Sequence, residues 1–197
     1  MNYKEAIKLL ENGNYKDCID FFKNGGHDLE YAYALILSDE SDKAFKVVEN
    51  IDSVRADWVR KIISIINGNI EYPTYFQIRN FLEIDLRMLI CAKRIDYVNK
   101  ILSAADIFQG INNECYKLLG RGLLKNGYPV EAKIFLDRSL NEYYNDVELH
   151  YLYAEYYMVQ NDNENVKKAV ENCLRINPEY YPAKKKYSEL EKMDPKV

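Results

Sequence analysis

Apolar side chains recur at intervals of three or four residues along nearly the whole chain, a spacing that places them on one face of an α-helix. The first such segment contains Tyr3, Ala6 and Leu10, and it ends at Gly13-Asn14, a pair typical of turns. The pattern resumes over residues 15–22. The sequence therefore predicts a helical hairpin in this part of the chain.

Further periodic segments follow, separated by short polar or glycine-containing stretches. A second hairpin is predicted over 28–51, with Asp28 and Ser41 as the N-caps of its two helices. The segment 74–94 has no helix-breaking residue, and it fits either one long helix or two helices that meet near Phe81. The other predicted helices are 53–67, 95–108, 113–126, 129–142, 146–160, 163–176 and 180–192.

No segment of the sequence favours β-strands. Alternating apolar and polar runs joined by tight hairpin turns are missing, and Asn126-Gly127 lies between two helical patterns instead. We therefore predict an all-α fold of about eleven helices.

A fixed spacing relates the two helices of each predicted pair. A small or apolar residue in the first helix is followed twelve positions later by another in the second helix. In the later pairs this position also recurs at a step of thirty-four, from Leu86 to Gly120 and from Gly120 to Ala154. Such a period is typical of stacked two-helix units that present the same face to their neighbours. The five pairs are Ala6 and Cys18, Ala32 and Ala44, Leu86 and Val98, Gly120 and Ala132, and Ala154 and Val166.

The residue types at these positions resemble the tetratricopeptide repeat family, in which Trp, Leu, Gly and Tyr mark the first helix, Ala and Phe the second, and Pro the end. The resemblance implies a right-handed solenoid of antiparallel helix pairs. One copy reads Tyr116, Leu119, Gly120, Leu123, Ala132, Leu136 and Tyr144, and the next reads His150, Tyr153, Ala154, Tyr157, Val166, Val170 and Pro178.

The resemblance is best over residues 79–192. Outside that range the sequence departs from the pattern, and Glu5 and Asp85 stand where the pattern has leucine. The first two pairs are separated by fewer residues than the regular period. Around Trp58 the separation is longer than the period. We therefore expect one repeat domain over 1–197. Its parts are two looser pairs in 1–52, an irregular joint in 53–78, three repeat units in 79–178, and a capping helix and tail in 179–197.

Composition and charge narrow the expected partners and location. The formal net charge is −4, whereas a protein that binds the phosphate backbone needs a basic face, so direct nucleic-acid binding is not expected. The first residues carry charges and form no apolar signal segment, and no run of about 18 apolar residues could span a membrane. We expect a cytoplasmic protein.

Chemical motifs give no support to an enzyme. Nucleotide-binding glycine loops, nucleophile elbows and paired Cys/His clusters are missing from the sequence, so neither a cofactor nor a metal is expected. His27 follows two glycines, while His150 occupies a packing position of its repeat. The run Lys184-Lys185-Lys186 is interpreted as the solvated face of a capping helix, since glutamates flank it. The four cysteines, Cys18, Cys91, Cys115 and Cys173, are far apart and are expected to be reduced.

The family resemblance implies a concave groove, lined by the first helix of each pair, that binds a peptide or helical segment of another protein. The groove would have a basic middle, able to hold a carboxylate, and an aromatic end. Ordinary solvated side chains are the alternative interpretation. The groove residues implied are Glu83, Arg87, Lys117, Arg121, Tyr151, Glu155 and Met158.

The function predicted from the sequence is a non-enzymatic interaction module, an adaptor or scaffold. The arrangement of Arg121 and Glu155 does not match the asparagine and lysine clamp of family members that hold a terminal carboxylate. Two alternatives remain open. One is a regulatory subunit that docks to a nucleic-acid-binding or signalling protein, and the other is a self-association module that forms a homodimer.

Overall fold

The computed structural model of the chain describes residues 1–193, and no β-strand occurs among them. The predicted all-α class is therefore confirmed for this part of the chain. Residues 194–197 of the predicted tail lie outside the described residues. The α-helices are α1 (Tyr3–Glu11), α2 (Ile19–Gly25), α3 (Asp28–Leu37), α4 (Ser41–Val48), α5 (Val54–Ile66), α6 (Tyr75–Cys91), α7 (Ile95–Ser103), α8 (Ala105–Ile111), α9 (Cys115–Lys125), α10 (Pro129–Glu142), α11 (Val147–Val159), α12 (Asn163–Ile176) and α13 (Tyr181–Met193).

The predicted count of about eleven helices is too low, since residues 1–193 form thirteen α-helices. The segment 95–108, expected as one helix, divides into α7 and α8 at Ala104, which has φ −90° and ψ 2°. The second helix of the first hairpin is also interrupted, because a short 3-10 helix, Tyr15–Asp17, precedes α2.

The open question over residues 74–94 is settled in favour of one helix, α6. Its amino-terminal end is fixed by a capping box, in which Thr74 and Gln77 each accept a hydrogen bond from the other's backbone N–H. Leu82, Leu86 and Leu89 are buried along one face, so packing continues past the break considered near Phe81.

The predicted N-caps of the second hairpin are each displaced by one residue. Asp28 and Ser41 are the first residues of α3 and α4, and the capping positions are His27 and Glu40, which make no side-chain cap hydrogen bond. A carboxylate in the first turn still interacts favourably with the helix dipole, which accounts for Asp28 at this position.

One turn geometry ends seven of the described helices. In each case a residue with φ between 57° and 88° follows the helix. The next backbone N–H then donates to the carbonyl five positions earlier, at 2.8–3.0 Å. This is the hydrogen bond that closes a Schellman turn. The left-handed residues are Gly13, Gly26, Asp39, Gly68, Lys93, Gly127 and Asn161. The last three of them are equally spaced, at the same step as the sequence period.

The positions that define the sequence period are all buried. Nine of the ten side chains are at most 4% exposed, and Gly120 is buried as well. Small residues there allow neighbouring helices to approach closely, which is the physical basis of the spacing within each pair.

The described chain forms two compact units, the first covering residues 1–122 and the second beginning at Leu123. In the first unit, α1 contacts α3, α3 contacts α5, α5 contacts α6, and α6 contacts α1 again. The chain just after α1 lies very close to the end of α6, because a Cβ at Gly13 would lie 2.5 Å from the backbone of Cys91 and Ala92. These four helices thus form a closed set around a shared interior.

The second unit packs its helices in chain order. Helix α10 contacts α11, α11 contacts α12, and α12 contacts α13. Its core is built mainly from small and branched side chains, with Tyr153 as its largest member. Partly buried tyrosines of α11 and α13, including Tyr151 and Tyr187, pack against this core. The second unit is therefore apolar inside and aromatic toward its surface.

Candidate binding surface

The structure brings together two residues of the predicted groove within the first unit. Arg121 on α9 donates two hydrogen bonds to Glu83 on α6, from Nε to Oε1 at 2.6 Å and from Nη2 to Oε2 at 2.9 Å. This is the parallel fork geometry that makes arginine–carboxylate pairs strong. One edge of the Arg121 guanidinium is therefore engaged within the protein.

The other two predicted groove cations of this unit also interact internally. The Lys117 side chain is almost fully buried, and its Nζ lies 3.2 Å from Glu114 Oε1. Arg87 is exposed, and its Nη2 donates to Asn12 Oδ1 at 3.4 Å. Since burial and pairing reduce access to a lysine, Lys117 is a weaker candidate for contacting a partner than Arg87.

The three predicted groove residues of the second unit lie on one face of α11. Tyr151 and Glu155 are half-buried, and Met158 is 43% exposed. Burial and the neighbouring Glu155 carboxylate raise the pKa of Tyr151 above its ordinary value of 10. This face of α11 thus combines apolar area with a hydroxyl that can donate a hydrogen bond.

Tyr151 forms one wall of an open depression of about 240 Å³. Its ring packs edge-on against Tyr180, with 5.8 Å between the centroids. We call the depression and its rim the α11–α13 surface, defined by Tyr151, Tyr181, Pro182, Lys185, Lys186 and Glu189. Tyr181 is 72% exposed, so a large aromatic face is open to solvent at the rim.

The three consecutive lysines of α13 have different environments. Lys184 pairs with Glu179 at 3.0 Å and Lys186 with Glu189 at 2.7 Å. Lys185 is exposed and makes no ion pair with any side chain that the structure describes. The sequence interpretation as the solvated face of a capping helix did not place Tyr181 and Lys185 in a concave surface. In the sequence, their only signal was that tyrosines lie close to the three lysines.

His150 and three of the four cysteines are buried, whereas Cys91 is exposed. His150 is buried, and its Nε2 lies 2.7 Å from the carbonyl of Tyr144. All four cysteines are free, and burial raises the pKa of Cys115 and Cys173 to about 12.

Within residues 1–193, no three potential metal-ligating side chains come together. In the same residues no helix has the length and apolar content needed to cross a lipid bilayer.

A buried polar cluster in the first unit was not predicted from the sequence. Asp85 on α6 is fully buried and accepts hydrogen bonds from Trp58 Nε1 and from Arg55 Nη2, the latter at 3.2 Å. The Arg55 guanidinium stacks on Tyr33 and Phe81, at 4.7 Å and 4.5 Å from the ring centroids. The sequence signal was indirect, since Asp85 replaces a leucine of the repeat pattern and Trp58 lies in the irregular joint.

Comparisons of the chain with protein-family models, with curated proteins and with solved structures find no match.

Proposed function

We propose that the chain is a non-enzymatic interaction module that binds a segment of another protein on the α11–α13 surface. The observation that carries the proposal is the depression lined by Tyr151, Tyr181 and Lys185. Aromatic side chains are over-represented at protein interfaces, because they bury large apolar areas at a low entropic cost.

The chemistry of the surface indicates what the segment carries. Tyr151 and Tyr181 offer apolar ring faces, which suit an aliphatic, aromatic or proline side chain. Lys185 is exposed and makes no ion pair with a described carboxylate, although it interacts at longer range with Glu189, and its positive charge suits an acidic side chain. The preferred ligand is therefore a short peptide with an acidic residue next to an apolar one.

A helical-repeat architecture, with which the all-helical fold is compatible, would give the proposal a second support. A tetratricopeptide-like right-handed solenoid would place α11 and α13 as the first helices of successive pairs, the position that lines the peptide groove in that family. The equal spacing of the left-handed turn residues Lys93, Gly127 and Asn161 agrees with such a register. A cytoplasmic location, where the free cysteines would stay reduced, belongs to the same proposal.

Self-association through this surface is the second candidate, because Met158 and Val159 continue the exposed apolar area along α11. Light scattering separates the two candidates: a dimer that dissociates when Tyr181 is replaced supports self-association, and a monomer supports binding of a separate partner.

The experiment that tests the main proposal is selection of peptides from a random library against the native chain. A photo-crosslinking amino acid is then placed at Tyr181, with a matched one at Lys167, an exposed position on α12. We expect crosslinks to the selected peptides at position 181 and none at position 167. Selected peptides that crosslink equally at both positions, or at neither, would contradict the proposal.

A further inference from the structure

Arg55 is held in a fixed position by three neighbours. Asp85 accepts from its Nη2 at 3.2 Å, and the rings of Tyr33 and Phe81 stack against the guanidinium plane. Asp85 is in turn held by the Trp58 indole. The side chain of Arg55 is nevertheless 26% exposed, so part of it reaches the surface. This arrangement orients a cation without using all of its hydrogen-bond donors.

The guanidinium of Arg55 retains free donors. Among the described residues, no acceptor lies within hydrogen-bond range of its Nε or Nη1. A guanidinium has two edges that can each hold a carboxylate with two parallel hydrogen bonds, and the single contact from Asp85 uses only one of them. The other edge therefore has no hydrogen-bond partner among the described residues.

Two further features describe the surroundings of Arg55. Arg55 is the second residue of α5, where a helix dipole disfavours a cation unless negative charge is close by. The Tyr33 hydroxyl is buried close enough to Asp85 to lower the pKa of that carboxyl, yet no atom of the described residues completes a well-formed hydrogen bond with it. The Tyr33 hydroxyl therefore helps to hold the carboxylate that orients Arg55.

We propose that Arg55 is the anchor of a second binding site, one that takes a carboxylate group. Asp85 and Trp58 position the guanidinium, and Tyr33 and Phe81 fix its plane. A planar carboxylate with one negative charge fits the free edge better than a phosphate dianion, because Asp85 already supplies negative charge to the same guanidinium. The site lies in the first unit, so it is independent of the α11–α13 surface.

The test follows the Arg55 Nε–H and Trp58 indole N–H signals by NMR in the native chain. The probes are N-acetyl-glutamate N-methylamide, which mimics an acidic side chain in a peptide, and glutarate, a free small carboxylate. N-acetyl-glutamine N-methylamide and inorganic phosphate are the controls. We expect saturable shifts with one or both carboxylates, and affinities at least about tenfold weaker for both controls. Tighter binding of the glutamate probe would identify an acidic peptide side chain as the ligand, and tighter binding of glutarate would identify a small free carboxylate.

Two variants test whether the binding depends on the Arg55 guanidinium. Arg55→Lys keeps the charge opposite Asp85 but loses the planar fork, so the Trp58 response should weaken at least about tenfold. Arg79→Lys, at an exposed arginine of the same unit that pairs with Glu114, should leave the response unchanged. The site is disproved if neither carboxylate produces a saturable shift in the native chain, or if phosphate or the glutamine probe binds equally well. The native titration decides the question even if Arg55→Lys does not fold.

Discussion

Trp58 donates its indole hydrogen bond to the buried carboxylate of Asp85, and this contact joins α5 to α6 inside the first unit. Asp85 is fully buried, so it relies on Trp58 and on Arg55 to replace the hydration that it loses on folding. Burial raises the pKa of Asp85, while the Arg55 guanidinium opposes that shift. The irregular region of the sequence thus contains a specific polar connection between two helices.

Replacement of Asp85 by alanine should destabilise the chain by about 2–4 kcal/mol, because it leaves Arg55 and the Trp58 N–H without their acceptor. Asp85→Asn retains an acceptor for the indole and should cost about half as much. Urea denaturation followed by Trp58 fluorescence measures both. Asp52→Ala is the control, since Asp52 is exposed and makes no hydrogen bond within the described chain. A loss below about 0.5 kcal/mol for Asp85→Ala would show that the cluster is unimportant for stability.

Gly13→Ala should be far more destabilising than Gly127→Ala. Both glycines have positive φ, 78° and 83°, so alanine costs about 1–2 kcal/mol at either site. At Gly13 the added Cβ would also lie 2.5 Å from the backbone of α6, whereas at Gly127 nothing lies within 4 Å. We therefore expect Gly13→Ala to cost about 2 kcal/mol more. Equal losses in chemical denaturation would mean that α1 does not pack against the end of α6.

Gly120→Leu should lower the melting temperature by about 5–10 °C, because a large side chain at this buried position would push neighbouring helices apart. Gly110→Leu is the matched control, since a Cβ at Gly110 meets no atom within 4 Å. Thermal unfolding followed by circular dichroism compares the two variants. An unchanged melting temperature for Gly120→Leu would count against the proposed repeat register.

Asp39 should contribute to the loss of stability in acid. Hydrogen bonds from Arg94 and from Tyr97 lower the pKa of Asp39 below its ordinary value of 3.8. Its contribution is therefore fully present above that value and is lost as the pH falls through the lowered folded-state pKa. Asp39→Asn should make the fall in stability below about pH 4 shallower, and asparagine tolerates the local φ of 65°.

The control for this acid effect is Asp42→Asn, at an exposed aspartate for which the structure shows no hydrogen bond. Unfolding free energies measured from neutral to strongly acidic pH should have the same acid slope in Asp42→Asn as in the native chain. If Asp39→Asn also keeps the native slope, the Arg94 and Tyr97 hydrogen bonds do not perturb the ionisation of Asp39.

Helical periodicity predicted the fold class because it depends only on neighbours three or four residues apart. The break at Ala104 was missed since alanine favours helix and gives no local signal there. The left-handed turns at Asp39, Lys93 and Asn161 were not predicted for a similar reason, since glycine is the only residue type that clearly indicates such a conformation.

The candidate sites were less predictable, because they depend on contacts between distant residues. Nothing near Asp85 in the sequence indicates that Trp58 and Arg55 would reach it. The face of α11 with Tyr151 and Met158 followed from helical spacing, but the contribution of Tyr181 and Lys185 required the packing of α13. The burial of Lys117 also depends on packing, since spacing alone cannot show which neighbours cover a side chain.

The most direct test of the interaction proposal is calorimetric titration of a library-selected peptide into the native chain and three variants. Tyr181→Ala removes the exposed ring and Lys185→Glu reverses the unpaired charge, whereas Lys167→Glu makes the same charge change on the exposed side of α12. We expect Kd to rise at least about tenfold for each of the first two and to stay within about twofold for Lys167→Glu. Equal affinity of all four proteins would show that the α11–α13 surface does not bind the peptide.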